Sequence, residues 1–315
     1  MICICCGKPL KKNDNSNWHK ACIKRFFGTN EIPKIEIDEK TIIEIANENT
    51  SNGLTVPGVQ KKILLHLFSN DNNPRLTLVN YPTGYILKPQ VSEFKCLPEA
   101  EQLVMTMADV TGISTVPHAL INNGDTFAYI TKRIDRIIDK TGIHMLAMED
   151  FCQLDMRLTQ DKYRGSYERC AKVIGKYSSK SKLDTTELFM RIVFSFIVGN
   201  SDMHLKNFSL IETYESSGVY VLSHAYDLLP VNVIMPEDKE ELALTLNGKK
   251  TRITKKDFFI FAQTCDIPRI SAEKMIQKIV SMKPVYLDLC DNSFITNDLK
   301  EQFKELIEKR CKVLE

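Results

Sequence analysis

Gly199-Asn200-Ser201-Asp202-Met203-His204-Leu205-Lys206-Asn207-Phe208 sets an acid, an imidazole, an amine and an amide between positions 202 and 207. It directly follows an almost wholly apolar run, Leu188 to Val198. That run predicts a helix over about Thr185 to Val198, with Asp184 and Glu187 spaced as a capping box and Gly199 as its stop. A helix that is apolar nearly all round belongs in a core, so the polar cluster is delivered from the centre of a domain. The order Asp-x-His-x-x-Asn has a chemical reading: the Asp202 carboxylate can accept a proton from an attacking hydroxyl, and the Asn207 amide can hold a metal ion that neutralises phosphate charge. The competing reading is a polar turn after a buried helix. Two residues elsewhere, Asp227 and Lys88, weigh toward phosphate chemistry.

The chain has 315 residues, 43% hydrophobic and 26% charged, as in an ordinary globular protein with one large core or two moderate ones. A net charge of +2 offers no global field for nucleic acid or a membrane, so direct binding to either is not expected. The apolar run at 188–198 is too short to span a bilayer, and Met1-Ile2-Cys3-Ile4-Cys5-Cys6 lacks the form of a signal peptide. Of 10 cysteines, those beyond residue 23 are scattered singly, which suits small buried hydrophobes in a reducing cytoplasm.

The front cluster is different. Cys3 and Cys6 form C-x-x-C, and His19 and Cys22 form H-x-x-C at the start of a short helix. Two thiolates from a tight turn, with an imidazole and a thiolate one helical turn apart, can close a tetrahedron around structural zinc. Cys5 competes with Cys3 or Cys6 for a place in that set, and a disordered cysteine-bearing tail is the plain alternative. A connector follows, with a short helix over 40–46. Asn52-Gly53-Leu54-Thr55-Val56-Pro57-Gly58-Val59-Gln60 then enters an extended run, so glycines could let backbone N–H groups approach a phosphate; it is not a Walker A loop.

Strands are expected at 76–79 and 85–87, the second ending in Lys88, then a helix over Leu97–Val110 with Pro98 and Glu99 in its first turn. If that helix packs behind the sheet, Glu101 pairs with Lys88, an arrangement that orients a lysine toward nucleotide phosphates. Strands at 116–121 and 126–130 flank an Asn-Gly turn, and Lys132-Arg133-Ile134 leaves the sheet where a backbone could meet an adenine edge. From Met148 helices dominate, at 149–155, 166–177, 185–198, 255–264, 272–282 and 298–313, with a short hairpin at 208–222 that precedes Asp227. His66, His118, His144 and His224 read as surface or structural residues.

The predicted class is therefore α+β: an antiparallel β-rich lobe and a mainly helical lobe. The expected domains are 1–28 for the zinc-binding segment, 29–133 for the first lobe with its glycine-rich loop, and 134–315 for the helical lobe with the catalytic loop.

The wider text resembles a known family. Thr55 to Lys62, Ile86-Leu87-Lys88-Pro89, Lys132 to Arg136, Glu149 to Gln153, Gly199 to Phe208, Tyr226 to Leu229 and Ala243 to Gly248 are similar to the HipA-type serine/threonine kinase toxins of bacterial toxin–antitoxin systems. The resemblance covers about residues 50–310 and implies a two-lobed protein-kinase-like fold, ATP and Mg2+. It further implies Asp202 as catalytic base, with Lys206 stabilising charge on the transferring phosphoryl, and Asn207 and Asp227 as magnesium ligands. ATP would be held by Val56, Pro57, Gly58, Val59, Gln60, Lys88, Glu101, Lys132, Arg133 and Ile134, with His204 propping the loop rather than transferring protons. The targets implied are aminoacyl-tRNA synthetases of the glutamyl or tryptophanyl kind.

Two departures carry expectations of their own. The kinase text begins by residue 53 with only the cysteine-bearing segment before it, as in the shorter HipT branch, where a separate small antitoxin stands for the missing N-terminal subdomain, with or without a DNA-binding antitoxin. The family's loop is often Ser-x-Ser-Gly, whereas here Thr55 and Pro57 hold those places, so Thr55 is the candidate for autophosphorylation. A small-molecule or lipid kinase, and a non-catalytic corepressor module, are the rival readings.

Overall fold

The computed structural model describes residues 2–10, 16–35, 62–68, 74–78, 84–139 and 142–315. The glycine-rich stretch, Thr55 included, and the expected helix at 40–46 lie outside the described residues. The chain divides into two compact units, 1–102 with 116–144, and 103–115 with 145–315.

Unit 1 is built on a six-stranded sheet of β1 (Lys34–Ile35), β2 (Ile63–Phe68), β3 (Arg75–Thr77), β4 (Tyr85–Pro89), β5 (His118–Asn123) and β6 (Thr126–Lys132). Their spatial order is β1-β3-β2-β4-β6-β5, antiparallel except for β1 against β3. β5 and β6 are joined through Gly124, whose φ of +58° is the left-handed conformation a tight turn demands. β4 is flanked on both sides, and Lys88 lies opposite Tyr129 in its register. A two-stranded pair, β7 (Arg136–Asp139) and β8 (Gly142–Met145), follows in the chain; sequence reasoning did not anticipate it.

The N-terminal segment is part of unit 1's core. Trp18, Phe26 and Phe27 are buried together with Tyr85 of β4, their ring centroids 4.8 to 5.9 Å apart. The Trp18 indole N–H donates to the Leu120 carbonyl at 3.2 Å, and the Tyr85 hydroxyl to the Phe26 carbonyl at 3.2 Å. Helix α1 (Lys20–Phe27) stops at Gly28 in the left-handed conformation. α2 (Leu97–Thr111) starts where the Gln90 side-chain oxygen accepts from the Leu97 N–H, leaving Glu99 near the positive end of the helix.

Unit 2 is mainly helical. Its centre is α5 (Ser181–Ile197), with Phe189, Phe194 and Phe196 completely buried against Phe258, Phe261 and Tyr286. The helix begins a turn earlier than the capping-box reading placed it. Asp184 is therefore internal: its carboxylate accepts from the Ser178 hydroxyl at 2.5 Å and the Leu222 N–H at 2.7 Å. Glu187 instead pairs with buried Arg191, which also donates to the Ser223 carbonyl.

The expected helix at 149–155 is in fact a strand and a single turn. β9 (Met148–Asp150) joins β10 (Ser209–Glu212) and β11 (Tyr220–Leu222) in the order β11-β10-β9, and α3 (Phe151–Leu154) follows with Asp150 and Gln153 as its capping box. The remaining helices are α4 (Tyr167–Tyr177), α6 (Val231–Ile234), α7 (Lys255–Thr264), α8 (Arg269–Ser281), α9 (Lys283–Asp291) and α10 (Asn297–Leu314). α9 was not anticipated; Pro284 occupies its first turn, where its missing N–H has no partner to lose.

No helix among the described residues is long and apolar enough to cross a membrane.

Candidate active site

In unit 2 the end of α5 makes a sharp exit. Gly199 has φ +68°, a left-handed conformation that favours glycine, and a Cβ there would fall 2.4 Å from a Leu306 methyl, which would have to shift. The backbone then turns through Asn200, whose side-chain oxygen accepts from the Asp202 N–H at 3.3 Å. Asn232 fastens the turn from outside, with its N–H donating to the Gly199 carbonyl at 3.0 Å and its amide nitrogen to the Ser201 hydroxyl at 3.3 Å. Met203, Leu205 and Phe208 are completely buried, and the Tyr167 hydroxyl holds the Met203 carbonyl at 3.1 Å. Apolar anchors alternate with polar residues, so Asp202 and Lys206 keep partial exposure on a fixed backbone.

The geometry gives each polar side chain a definite setting. Asn207 Nδ2 donates to the Asp202 carbonyl at 2.8 Å. That bond fixes which way the amide faces and leaves its oxygen as the end suited to a cation. Asp202 Oδ1 accepts from the Tyr163 hydroxyl at 2.5 Å. Burial, and then the negative charge of Asp202, push the Tyr163 phenol well above its ordinary range, so it remains a donor at any working pH. His204 is buried, its ring edge-on to Tyr163 at 4.9 Å. Lys206 Nζ lies 2.6 Å from Asp150 Oδ2, so the amine is held by the same acid that caps α3.

Asp227 is tied to this loop through its neighbour: the Tyr226 hydroxyl donates to the Lys206 carbonyl at 3.1 Å and meets the Ser209 hydroxyl at 2.5 Å. Asp227 itself has φ +58°, a left-handed conformation uncommon outside glycine that aspartate tolerates better than most. Carboxylate and amide oxygens are donor types that magnesium accepts, and it takes few protein oxygens beside those of phosphates.

Unit 1 carries the other charged pair. Lys88 Nζ lies 2.5 Å from Glu101 Oε1, and both side chains are almost fully buried. The ammonium also sits 5.2 Å from the centre of the Tyr129 ring. Of the residues leaving β6, the Lys132 and Arg133 N–H groups donate to the carbonyls of Pro117 and Gly84, at 3.0 and 2.9 Å. Those two donors are thus engaged by unit 1 itself; among the described residues, Ile134 is the member of the trio whose N–H makes no such bond. Arg133 and Arg136 flank Asp135, each 2.6 Å from its Oδ2.

The front cluster closes as well. One ligand atom from each of Cys3, Cys6, His19 and Cys22 lies within 4.8 Å of the others. His19 Nδ1 is 3.4 Å from the Cys6 sulfur and 3.8 Å from that of Cys22. Cys5 is outside the set: it is buried, and desolvation with the Cys3 charge beside it pushes its thiol up to about 12.

Sequence reasoning gave no role to Tyr163, Asp150 or Tyr226. Asp150 and Tyr226 lie in stretches that carry the family resemblance, Tyr163 does not, and the part each plays beside the loop emerges only from the fold.

The two units thus combine an antiparallel sheet carrying a buried lysine–glutamate pair with a helical body carrying an acid–amide loop, a mixed α+β architecture. The HipA-like C-terminal domain family matches residues 54–285, and the chain belongs to it. Among curated proteins it is 24% identical over 320 residues to a Haemophilus influenzae protein named "Putative kinase", covering 91% of this chain and 90% of the relative. It is 30% identical over 253 residues to "Putative kinase Y4dM" of Sinorhizobium fredii, covering 76% of this chain and 59% of that one. Among solved structures, HipA of Shewanella oneidensis, determined with HipB and operator DNA, aligns with TM-score 0.69 at 19% identity, over 82% of this chain and 64% of HipA. The Helicobacter pylori proinflammatory kinase CtkA aligns with TM-score 0.52 at 16% identity, over 78% of this chain and 90% of CtkA. At these identities the structural matches establish the fold.

Proposed function

We propose that this chain is an ATP- and magnesium-dependent serine/threonine protein kinase that acts as the toxin of a toxin–antitoxin system in the cytoplasm. The observation that carries the reading is the loop of unit 2: Asp202 is partly exposed on a rigid backbone, and Asn207 is oriented by its bond to the Asp202 carbonyl. Family membership and the kinase names of its relatives support it.

In this reading a substrate hydroxyl gives its proton to Asp202 as its oxygen attacks the terminal phosphoryl group, whose bond to the bridging oxygen breaks so that ADP leaves. Tyr163 holds Asp202 in place and remains a neutral donor. Asn207 and Asp227 would hold magnesium, which supplies charge neutralisation at the phosphates. Lys88, steadied by Glu101, would contact phosphates, and the Ile134 N–H with the neighbouring carbonyls would face the adenine. Lys206 exchanges Asp150 for the transferring phosphoryl when substrate is present. Val56 to Gln60 would cover the nucleotide, and Thr55, or Ser51 nearby, would take an inhibitory phosphate. Cys3, Cys6, His19 and Cys22 would hold one structural zinc. The protein substrate is an aminoacyl-tRNA synthetase of the glutamyl or tryptophanyl kind. The antitoxin is a small protein resembling the family's N-terminal subdomain, with a DNA-binding partner such as the HipB found with Shewanella HipA.

Expression of the wild type should arrest growth and place phosphate on one or a few proteins; Asp202→Ala should do neither. Phosphate recovered only on metabolites or lipids would replace the protein substrate with a small one. Growth arrest retained in Asp202→Ala would point to a binding module instead.

A further inference from the structure

We infer that the N-terminal cysteine–histidine cluster binds zinc and, by closing around it, clamps helix α2 and so sets the position of Glu101. The first part stands on distances. With Zn–S near 2.3 Å and Zn–N near 2.0–2.1 Å, tetrahedral geometry puts a sulfur and a nitrogen ligand about 3.5 Å apart. The separations of His19 Nδ1 from Cys6 and Cys22 sulfurs, 3.4 and 3.8 Å, bracket that value. His19 Nε2 lies 2.9 Å from the Pro9 carbonyl, a bond that turns Nδ1 toward the sulfurs and keeps its lone pair for a metal. The turn after Cys3 has the matching form, with the Gly7 N–H donating to the Cys3 carbonyl at 2.8 Å and Gly7 at φ +69°.

The second part stands on what lies between the first two ligands. The Ile4 and Cys5 carbonyls both leave the knuckle to bind the rest of unit 1. Ile4 accepts from the Leu120 N–H of β5 at 3.0 Å. Cys5 accepts from Gln102 Nε2 at 3.1 Å, and Gln102 Oε1 meets His118 Nδ1 at 2.8 Å. Gln102 is buried and immediately follows Glu101 on α2. The backbone that metal ligation would fix is therefore the backbone that grips the helix beside its ion-pairing glutamate. Without a metal, four residues must hold that turn by local bonds alone; with one, its shape is imposed from inside.

The consequence for nucleotide binding rests on the proposed kinase reading; the clamp itself does not. The test uses the full chain. Metal analysis should find about one zinc per chain, and hydrogen exchange should be followed over Leu97–Thr111 with zinc present, after chelation, and in zinc-loaded Gln102→Ala. The clamp predicts at least a several-fold rise in exchange near Glu101 in both perturbed samples, with Ser181–Ile197 unchanged. It also predicts a several-fold loss of Mg–ATP affinity in step with that rise. Absence of bound zinc overturns the inference, as does α2 protection that survives chelation or Gln102→Ala. If exchange responds but no sample binds ATP, the kinase reading fails and the clamp stands.

Discussion

Asp202 is held by a residue the sequence gives no reason to choose. Tyr163 lies 39 positions earlier, yet its hydroxyl meets Asp202 Oδ1 at 2.5 Å. A donor to a carboxylate favours its charged form, so Tyr163→Phe should move the acid limb of the activity profile to higher pH; a limb that stays put would remove Tyr163 from the account. Asp257 offers a stability test. It is buried, and although desolvation works against its charge, bonds from Lys249, Asn247 and Thr254 hold its carboxyl down at about 2, below the ordinary 3.8. Its contribution, on the order of 2 kcal/mol, is present above the ordinary value and lost as pH falls toward 2. Urea unfolding at pH 5 and pH 2.5 should show that loss in the wild type and a flatter response in Asp257→Asn. The loop stood out in the sequence because its polar residues lie together in one short stretch, Asp202 to Asn207. The contact from Tyr163 did not, because a lone tyrosine carries no spacing signal, and Asp150, though inside a quoted motif, showed no sign of its bond to Lys206.

Among the elements, α5 was readable from its almost unbroken apolar run, α10 from one apolar face, and the β5–β6 hairpin from Asn-Gly. Errors arose where a local signal had a second use. Asp184 resembled a cap but serves Ser178 and Leu222 from inside the helix. Met148–Asp150 looked helical but completes a sheet edge, where pairing with β10 outweighs local preference. Two substitutions probe how elements are joined. Gly199→Ala sets a Cβ against Leu306 at the end of α5 in a left-handed conformation, and should cost about 1–3 kcal/mol by thermal or urea unfolding. Glu101→Ala leaves Lys88 buried between β4 and α2 without its carboxylate, and should cost about 3–5 kcal/mol. A loss below 1 kcal/mol would mean the lysine finds water or another partner without cost.

At the scale of the molecule, the chain's modest charge and its fold leave the chemistry to local constellations, one in each unit. The N-terminal cysteine–histidine segment, readable as a spacing, is integral to unit 1 through Trp18 and Tyr85, which no spacing could announce. The whole account turns on the loop from Asp202 to Asn207 being a phosphoryl-transfer site. The direct measurement is transfer of the terminal phosphate of isotopically labelled ATP, with magnesium, to serine or threonine of protein in a bacterial extract, comparing wild type with Asp202→Ala and Asn207→Ala at equal folded concentration. The account predicts labelled protein with wild type and a loss of at least a hundredfold in both variants. Labelling that persists in Asp202→Ala, or that is absent from folded, zinc-loaded wild type across a range of extracts, would contradict it.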